Sequence, residues 1–199
     1  MEFYEILDKR KSIRQFKSEF PSDRLIYKII QKAIQSPNAH NSQPWKFIIL
    51  KNYKVKLDMI NEMGKKFAKD LMKDGISNKE IEKIVEYSHK KFMNAPILII
   101  PCLDKNALPH IKDEERKENE YIMGVQSVSS AITYLLLAAH AEGLSSCWYC
   151  AALFTKEIIQ KHLNLDINLE PQCIITIGYA DEDPKKPKRK PLSEIVIEI

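Results

Sequence analysis

Two arginines, a lysine and a serine lie within five residues near the start of the chain, as Arg10, Lys11, Ser12 and Arg14. Charged nitrogen donors form short, strong hydrogen bonds to a phosphate dianion, and the planar guanidinium group matches a phosphate particularly well. The surrounding residues 12–16 are expected to be extended and polar. The segment is therefore either a phosphate-binding element or a basic surface turn.

A second segment whose residues could bind a ligand, residues 36–45, has the sequence SPNAHNSQPW. Its two prolines fix φ and remove two backbone donors, so it is neither a helix nor a central strand. It is longer than the roughly two to six residues of an ordinary connection. The amides of Asn38, Asn41 and Gln43 could match a ligand that carries both donors and acceptors. The alternative is an Asx-rich turn that satisfies only its own backbone.

Cys147 and Cys150 form a C-x-x-C motif, and the chain has two further cysteines, Cys102 and Cys173. This spacing invites a redox or a zinc interpretation. A structural zinc site would need a second ligand pair at similar spacing, which the sequence lacks, so no metal site is predicted. The alternative is a set of small buried thiols in a reducing compartment.

Four motifs together resemble the nitroreductase family of FMN-dependent NAD(P)H oxidoreductases. Residues 10–16, RKSIRQF, are similar to the family's N-terminal RRSIRxF motif, and residues 36–45 resemble its SPSAxNxQPW signature. Residues 143–150, GLSSCWYC, resemble the GLGSCWIG turn, and residues 188–192, KRKPL, resemble the C-terminal RKPLEE element. The four motifs occur in the family order and span nearly the whole chain.

The resemblance implies an FMN site at the interface of a homodimer. It assigns Arg10, Ser12 and Arg189 to the phosphate, with Lys11 and Lys188 close by, and it assigns Arg14 to the pyrimidine edge or the ribityl chain. The segment that reaches the flavin from the partner subunit corresponds to Asn38, Ala39, His40, Asn41 and Gln43. The turn whose backbone N–H groups face flavin N5 and O4 corresponds to Tyr149, Cys150 and Ala151. Cys150 replaces a family glycine, so its side chain would narrow access to the ring or place a thiol beside it.

The resemblance also implies a ping-pong reaction, in which NADH or NADPH passes a hydride to flavin N5 and an electron-poor acceptor such as a nitroaromatic or a quinone then removes it. This chemistry needs orientation and charge stabilisation but no side-chain acid or base, so no catalytic residue is predicted. One alternative is a flavin or deazaflavin (F420-type) binding module of the same fold that acts in specialised metabolism without NAD(P)H reductase activity. Another is a non-enzymatic basic protein that binds nucleic acid.

Composition predicts one compact domain, residues 1–199, because 44% of the 199 residues are apolar and only five are glycine. The N-terminus does not resemble a signal peptide, and no apolar run is expected to approach the ~18 residues of a membrane span. The expected location is therefore the cytoplasm, without membrane contact. The net charge of +4 is concentrated in residues 185–190. Prolines interrupt that run, so nucleic-acid binding is not expected.

Apolar periodicity, together with the resemblance, predicts a three-layer α/β/α fold of the α+β class with a mixed, mostly antiparallel central sheet. Strands are predicted at 47–50, 97–100 and 173–177, and residues 194–199 are predicted to form an edge strand or an arm exchanged with a partner. Residues 104–119 are predicted to be a loop. The uncharged stretch 121–141 predicts a long central interface helix that ends before Gly143. The charged helical excursion at 53–93 is expected to form a mobile cover over the site.

Overall fold

The computed structural model describes residues 2–199, and its centre is a five-stranded sheet. The strands are β1 (Trp45–Leu50), β2 (Ile97–Asp104), β3 (Ser145–Tyr149), β4 (Leu169–Pro171) and β5 (Ile174–Gly178). Their spatial order is β1-β2-β5-β3, and β4 pairs with the far end of β2. All four strand ladders are antiparallel, and a single parallel bridge joins Ser12 to Ser146. The predicted, mostly antiparallel sheet is confirmed.

Helices cover both faces of this sheet. They are α1 (Phe3–Lys9), α2 (Asp23–Ala33), α3 (Tyr53–Lys73), α4 (Asn78–Met93), α5 (Glu114–Ala141) and α6 (Lys156–Leu163). On one face, Ile26 of α2 and Ile132 of α5 pack on Ile175. On the other, Met59 of α3 and Ile159 of α6 pack in the core that contains Ile174. Strand β2 is buried on both faces, which explains its continuous apolar sequence. The three-layer prediction is confirmed.

The helix ends follow the capping signals of the sequence. Ser22 Oγ accepts a hydrogen bond from the Leu25 N–H at 3.3 Å, and Ser77 Oγ accepts one from the Glu80 N–H at 3.4 Å. Gly143 follows α5 with a φ of 78°, a conformation that glycine adopts without steric cost.

Two sequence predictions about element boundaries are wrong. Helix α5 begins at Glu114, inside the predicted loop 104–119, because Asp113 Oδ1 accepts a hydrogen bond from the Arg116 N–H at 2.8 Å and two acidic residues occupy the first turn. At the other end of the chain, residues 194–199 form no strand within this chain, so the edge-strand prediction is wrong, while the alternative of an arm exchanged with a partner stays a prediction. Leu192–Glu194 is a short 3₁₀ turn, and the apolar side chains that follow it are exposed. Strands β3 and β4 were not predicted as strands.

Among residues 2–199, α5 is the one helix that is long and apolar enough to cross a membrane by length and composition alone. The expectation that no stretch would approach that length is therefore corrected. Within this fold, 44% of the apolar 18-residue window is buried. Core helices of globular domains meet the same criterion, so this is weak evidence for a membrane span.

Gly178, the last residue of β5, permits a close approach between the sheet and Pro96. A Cβ atom at this position would lie 2.8 Å from both Pro96 Cδ and Cγ and 3.0 Å from Phe16 Cδ1. Because the proline ring is rigid, we expect Gly178→Ala to lower the free energy of unfolding by about 1–3 kcal/mol, as overpacking does elsewhere. Urea denaturation measures this change. Gly64→Ala is the control, because a Cβ atom there would meet only the end of the Val85 side chain, at 3.3 Å.

Lys56 on α3 is buried at 4% exposure, and its Nζ donates hydrogen bonds to the Ala95 and Met93 carbonyl oxygens at 2.8 and 3.4 Å. Burial lowers its pKa below the ordinary lysine value. Between these two pKa values the unfolded chain binds more protons than the folded one, so this group makes stability rise with pH in that interval. We therefore expect the free energy of unfolding of the wild type to increase relative to that of Lys56→Met as the pH rises from 7 to about 10. A pH-independent difference would contradict this account.

Candidate functional site

The two ends of the chain meet at one basic cavity of about 120 Å³. Its lining comprises Arg10, Lys11, Ser12, Arg14, Pro184, Lys185, Lys186, Pro187 and Arg189. No acidic residue is among the described residues of this lining. We call this cavity the basic cradle. A cavity with six cationic side chains and a hydroxyl group is suited to an anion with several acceptor oxygens.

Backbone and side-chain contacts hold the two halves of the basic cradle together. The Ile13 N–H donates to the Ser146 carbonyl oxygen at 3.1 Å, which fixes the N-terminal segment beside β3. Lys186 Nζ donates to the Leu7 and Asp8 carbonyl oxygens at 2.9 and 2.7 Å, at the C-terminus of α1. Lys11 Nζ pairs with the Asp183 carboxylate. The structure therefore fixes part of each chain end before any ligand is considered.

The three arginines of the basic cradle differ from these lysines because their guanidinium groups make no ion pair with any carboxylate of residues 2–199. Arg10 is partly buried, whereas Arg14 and Arg189 are exposed. An unpaired cluster of like charges is unfavourable by itself and favours a bound anion. Of the sequence-predicted phosphate residues, only Lys188 lies outside the lining. Lys185 and Lys186 line the cavity without having been predicted, and their position in the same basic run was the available signal.

Tyr149 ends β3, and a 3₁₀ turn, Cys150–Phe154, follows it. The Tyr149 ring packs edge-on against Phe92 of α4, with ring centroids 5.0 Å apart. Burial, with the nearby Cys147 thiol, raises the pKa of Tyr149, while the Arg14 guanidinium acts in the opposite direction. The turn that the sequence assigned to the flavin ring is therefore close to the Arg14 end of the basic cradle.

The segment 38–43 has a strained backbone. His40, Asn41 and Gln43 have φ values of 56°, 49° and 47°, in the left-handed region that residues with a Cβ seldom adopt. Such strain concentrates at functional loops and persists only where surrounding contacts enforce it. Here the Ala39 N–H donates to Ser127 Oγ at 3.1 Å, and the Gln43 N–H donates to Asn38 Oδ1 at 2.8 Å. Asn38 therefore stabilises its own loop, as the Asx-turn interpretation expected, while His40, Asn41 and Gln43 are exposed.

Within one chain, the structure does not bring this loop to the basic cradle. The loop is anchored at Ser127, whereas the cradle adjoins His140, which lies within electrostatic range of Arg10, Lys11 and Lys186. At about 1.5 Å per residue, Ser127 and His140 are roughly 20 Å apart along α5. The sequence-predicted site residues thus form two groups, one beside the middle of α5 and one near its C-terminal end.

His140 is a partly buried residue of α5, and its Nε2 has no hydrogen-bond partner in the described chain. Burial lowers its pKa, and the positive charges of Arg10 and its neighbours lower it further. Both effects favour the neutral form of the imidazole.

Ser127 anchors the strained loop and is itself buried at 4% exposure, with its Oγ donating to the Met123 carbonyl oxygen at 2.7 Å. We expect Ser127→Ala to lower the free energy of unfolding by about 1–3 kcal/mol, because the Ala39 N–H loses its partner. Urea denaturation measures this change, and amide hydrogen exchange at residues 39–43 should become faster. Ser130→Ala, on the same helix, is the control and should leave that exchange unaltered.

Comparison with known proteins gives a family and a fold that agree with each other. A family model described as "Nitroreductase family" matches residues 7–179. An iodotyrosine deiodinase of Thermotoga neapolitana is 30% identical over 197 residues, which cover 98% of this chain and 95% of that protein. Two solved structures, each 23% identical in sequence, share the fold, and each alignment covers 100% of this chain and 99% of the other chain. One is a BluB-like flavoprotein of Clostridium difficile, with a TM-score of 0.79. The other is a nitroreductase with bound FMN of Desulfitobacterium hafniense, with a TM-score of 0.75.

Proposed function

The chain belongs to the nitroreductase family, and on that premise we propose that it binds FMN and uses it to transfer electrons from NADH or NADPH to an electron-poor organic acceptor. Bound FMN would supply two-electron redox chemistry that no side chain of this protein provides. The protein itself would bind, orient and electrostatically stabilise the reactants.

The observation that carries this proposal is the basic cradle. Its Arg10 and Arg189 come from opposite ends of the sequence, line one cavity and have no carboxylate partner in residues 2–199. A phosphate dianion fits this donor set, since arginine, lysine and serine all donate and none competes as an acceptor with negative charge. Arg10, Ser12 and Arg189 would hold the phosphate, with Lys11 beside it. Arg14, at the end nearest Tyr149, would face the ring or the ribityl chain.

A homodimer would complete the site. The loop with Asn41 lies roughly 20 Å from the cradle along α5 in one chain. A two-fold axis that sets two α5 helices antiparallel would place the partner's loop beside this chain's cradle. Exposed apolar side chains on α5 support such an interface, among them Ile122 at 44% and Tyr134 at 42% exposure. The excursion formed by α3 and α4 would then border the site through Phe92, which touches Tyr149.

Reductive removal of a halogen from a halogenated phenol is a second candidate for the acceptor half-reaction. The observation that favours it is the 30% identity to the Thermotoga neapolitana deiodinase over nearly the full length of both chains. Both candidates use the same cofactor and differ in the acceptor. Cytoplasmic location stays a prediction from the sequence.

Anaerobic spectroscopy tests the proposal. Purified protein supplied with FMN should retain it through gel filtration, and NADH or NADPH should bleach the flavin absorbance. A nitroaromatic or a quinone should then restore the absorbance faster than iodotyrosine if the first candidate is correct, and more slowly if the second is. Flavin that binds but is bleached by neither nicotinamide would favour the deazaflavin alternative. Protein that binds no FMN would end the proposal.

A further inference from the structure

The C-x-x-C motif does not form a pair in this fold. Successive side chains of a strand point to opposite faces of the sheet. On β3, Trp148 packs into the core beneath α2 and α5, whereas Tyr149 packs into the core beneath α3 and α6. Cys147 shares the Tyr149 face, and its thiol lies near the Tyr149 hydroxyl. Cys150 lies outside β3, as the first residue of the 3₁₀ turn Cys150–Phe154.

The cysteine nearest to Cys150 along the β3–β5 ladder is Cys173. The register of β3 with β5 is constant from Ser145 opposite Gly178 to Tyr149 opposite Ile174. Cys150, the first residue of the 3₁₀ turn, and Cys173, which directly precedes β5, are the next residues beyond this last pair. Opposed residues of an antiparallel pair have Cβ atoms about 4.5–5.5 Å apart, so residues directly beyond that pair begin near the ~3.5–4.5 Å that a disulfide needs. Cys173 belongs to the core beneath α2 and α5.

The two thiols differ in accessibility. Cys150 is exposed, whereas Cys173 is fully buried. Burial raises the pKa of Cys173, and charges on Cys150 and Cys102 would raise it further, so both of these thiols lie within electrostatic range of Cys173. Cys150 should therefore react first with any soluble reagent, and Cys173 should act second, from inside the fold.

The remaining two cysteines, Cys102 and Cys147, are not expected to take part in thiol exchange at Cys150. Cys102 is buried in the core on the opposite face of the sheet, beneath α3 and α6, and burial raises its pKa to about 12. Cys147 is buried at 3% exposure on that same opposite face. Both are buried, so a soluble disulfide should reach Cys150 before either of them.

We propose that Cys150 and Cys173 form a reversible dithiol–disulfide pair that exchanges with low-molecular-weight disulfides. The Cys150 thiolate attacks one sulfur of the small disulfide, which breaks its S–S bond and releases one thiolate. Cys173 then loses its proton and attacks the Cys150 sulfur, which releases the second thiolate. The two protons lost by the protein convert both leaving thiolates to thiols, so one disulfide is reduced as one forms. The new bond ties the turn after Tyr149 to β5.

Oxidised glutathione tests this pair in the full-length protein, with or without flavin. After incubation and acid quenching, intact mass should show the loss of two hydrogen atoms, and peptide mapping should show one Cys150–Cys173 link. Dithiothreitol should restore both thiols. The variant Cys173→Ala should instead retain one glutathione on Cys150, and a Cys102→Ala, Cys147→Ala double variant should form the link as wild type does. Because Cys173 must lose a proton, closure should become faster as the pH rises from 7 to 9.

Several outcomes would overturn the proposal. Wild-type protein that keeps a stable glutathione adduct on Cys150, without a protein disulfide, would exclude Cys173 as the second thiol. A Cys147–Cys150 disulfide would show that the two cysteines of the C-x-x-C motif react with each other and that Cys173 is not the second thiol. Circular dichroism of Cys173→Ala, matched to wild type, ensures that the trapped adduct reports on chemistry in a folded protein. None of these readouts depends on flavin binding.

Discussion

Replacing Arg10 and Arg189 together by glutamine is expected to raise the Kd for FMN by at least 100-fold. Both side chains line the basic cradle, and neither guanidinium has a carboxylate partner within the described chain. A hydrogen bond to a charged group contributes about 1.5–3 kcal/mol, and roughly 1.4 kcal/mol corresponds to a factor of ten in affinity. Fluorescence titration of the flavin-free protein measures the change.

The matched control for this double variant is Lys188→Gln with Lys190→Gln. These two cations belong to the same basic C-terminal run but do not line the cavity. They should change the Kd by only a small factor, because distant exposed charges are screened. If the control pair weakens binding as much as the arginine pair does, then general positive charge binds the cofactor, and the cradle does not.

Replacing Ile122 and Tyr134 of α5 by aspartate is expected to produce a monomer that no longer binds FMN. Both side chains are large, apolar and more than two-fifths exposed in the single chain. Burying two carboxylates in an apolar interface would cost several kcal/mol for each charge. Sedimentation velocity at micromolar concentration should show a dimer for wild type and a monomer for the variant. Flavin affinity should fall with the dimer, because the partner's loop is lost.

Ile167→Asp with Tyr53→Asp is the control for this experiment, since it introduces the same charges at an isoleucine and a tyrosine that are exposed elsewhere, at 70% and 64%. This control should remain a dimer. A monomeric α5 variant that still binds FMN as wild type does would show that one chain suffices for the site.

The elements of this fold that follow from local signals were predicted from the sequence. Ser22 and Ser77 cap α2 and α4, Gly143 ends α5, and the apolar run of β2 forms a doubly buried strand. The predictions fail where contacts beyond the local sequence pattern determine the structure. Residues 114–120 are helical despite their lack of an apolar stripe, because Asp113 caps them and they continue α5. The terminal residues 194–199 alternate like a strand but find no partner strand within the chain.

The candidate site was only partly predictable. The motif resemblance indicated that Arg10 and Arg189 converge, and the structure places both in one cavity. No local pattern could show that Lys186 caps the carbonyl groups of α1, because that contact joins opposite ends of the chain. The C-x-x-C motif misleads for a geometric reason, because Cys147 lies on β3 whereas Cys150 begins the 3₁₀ turn that follows it. The pairing of Tyr149 with Ile174, which brings Cys150 near Cys173, exists only in the folded sheet.

The measurement that tests the shared site most directly is subunit complementation. One variant has a disabled cradle, Arg10→Gln with Arg189→Gln, and the other has a disabled loop, Asn38→Ala with Asn41→Ala. Each alone should bind no FMN at micromolar concentration. After mixing, unfolding and refolding together, the heterodimer should contain one intact site, built from the cradle of one chain and the loop of the other, and equilibrium titration should recover FMN binding. A mixture that binds no more FMN than its separate components would contradict the central claim that two chains build each site.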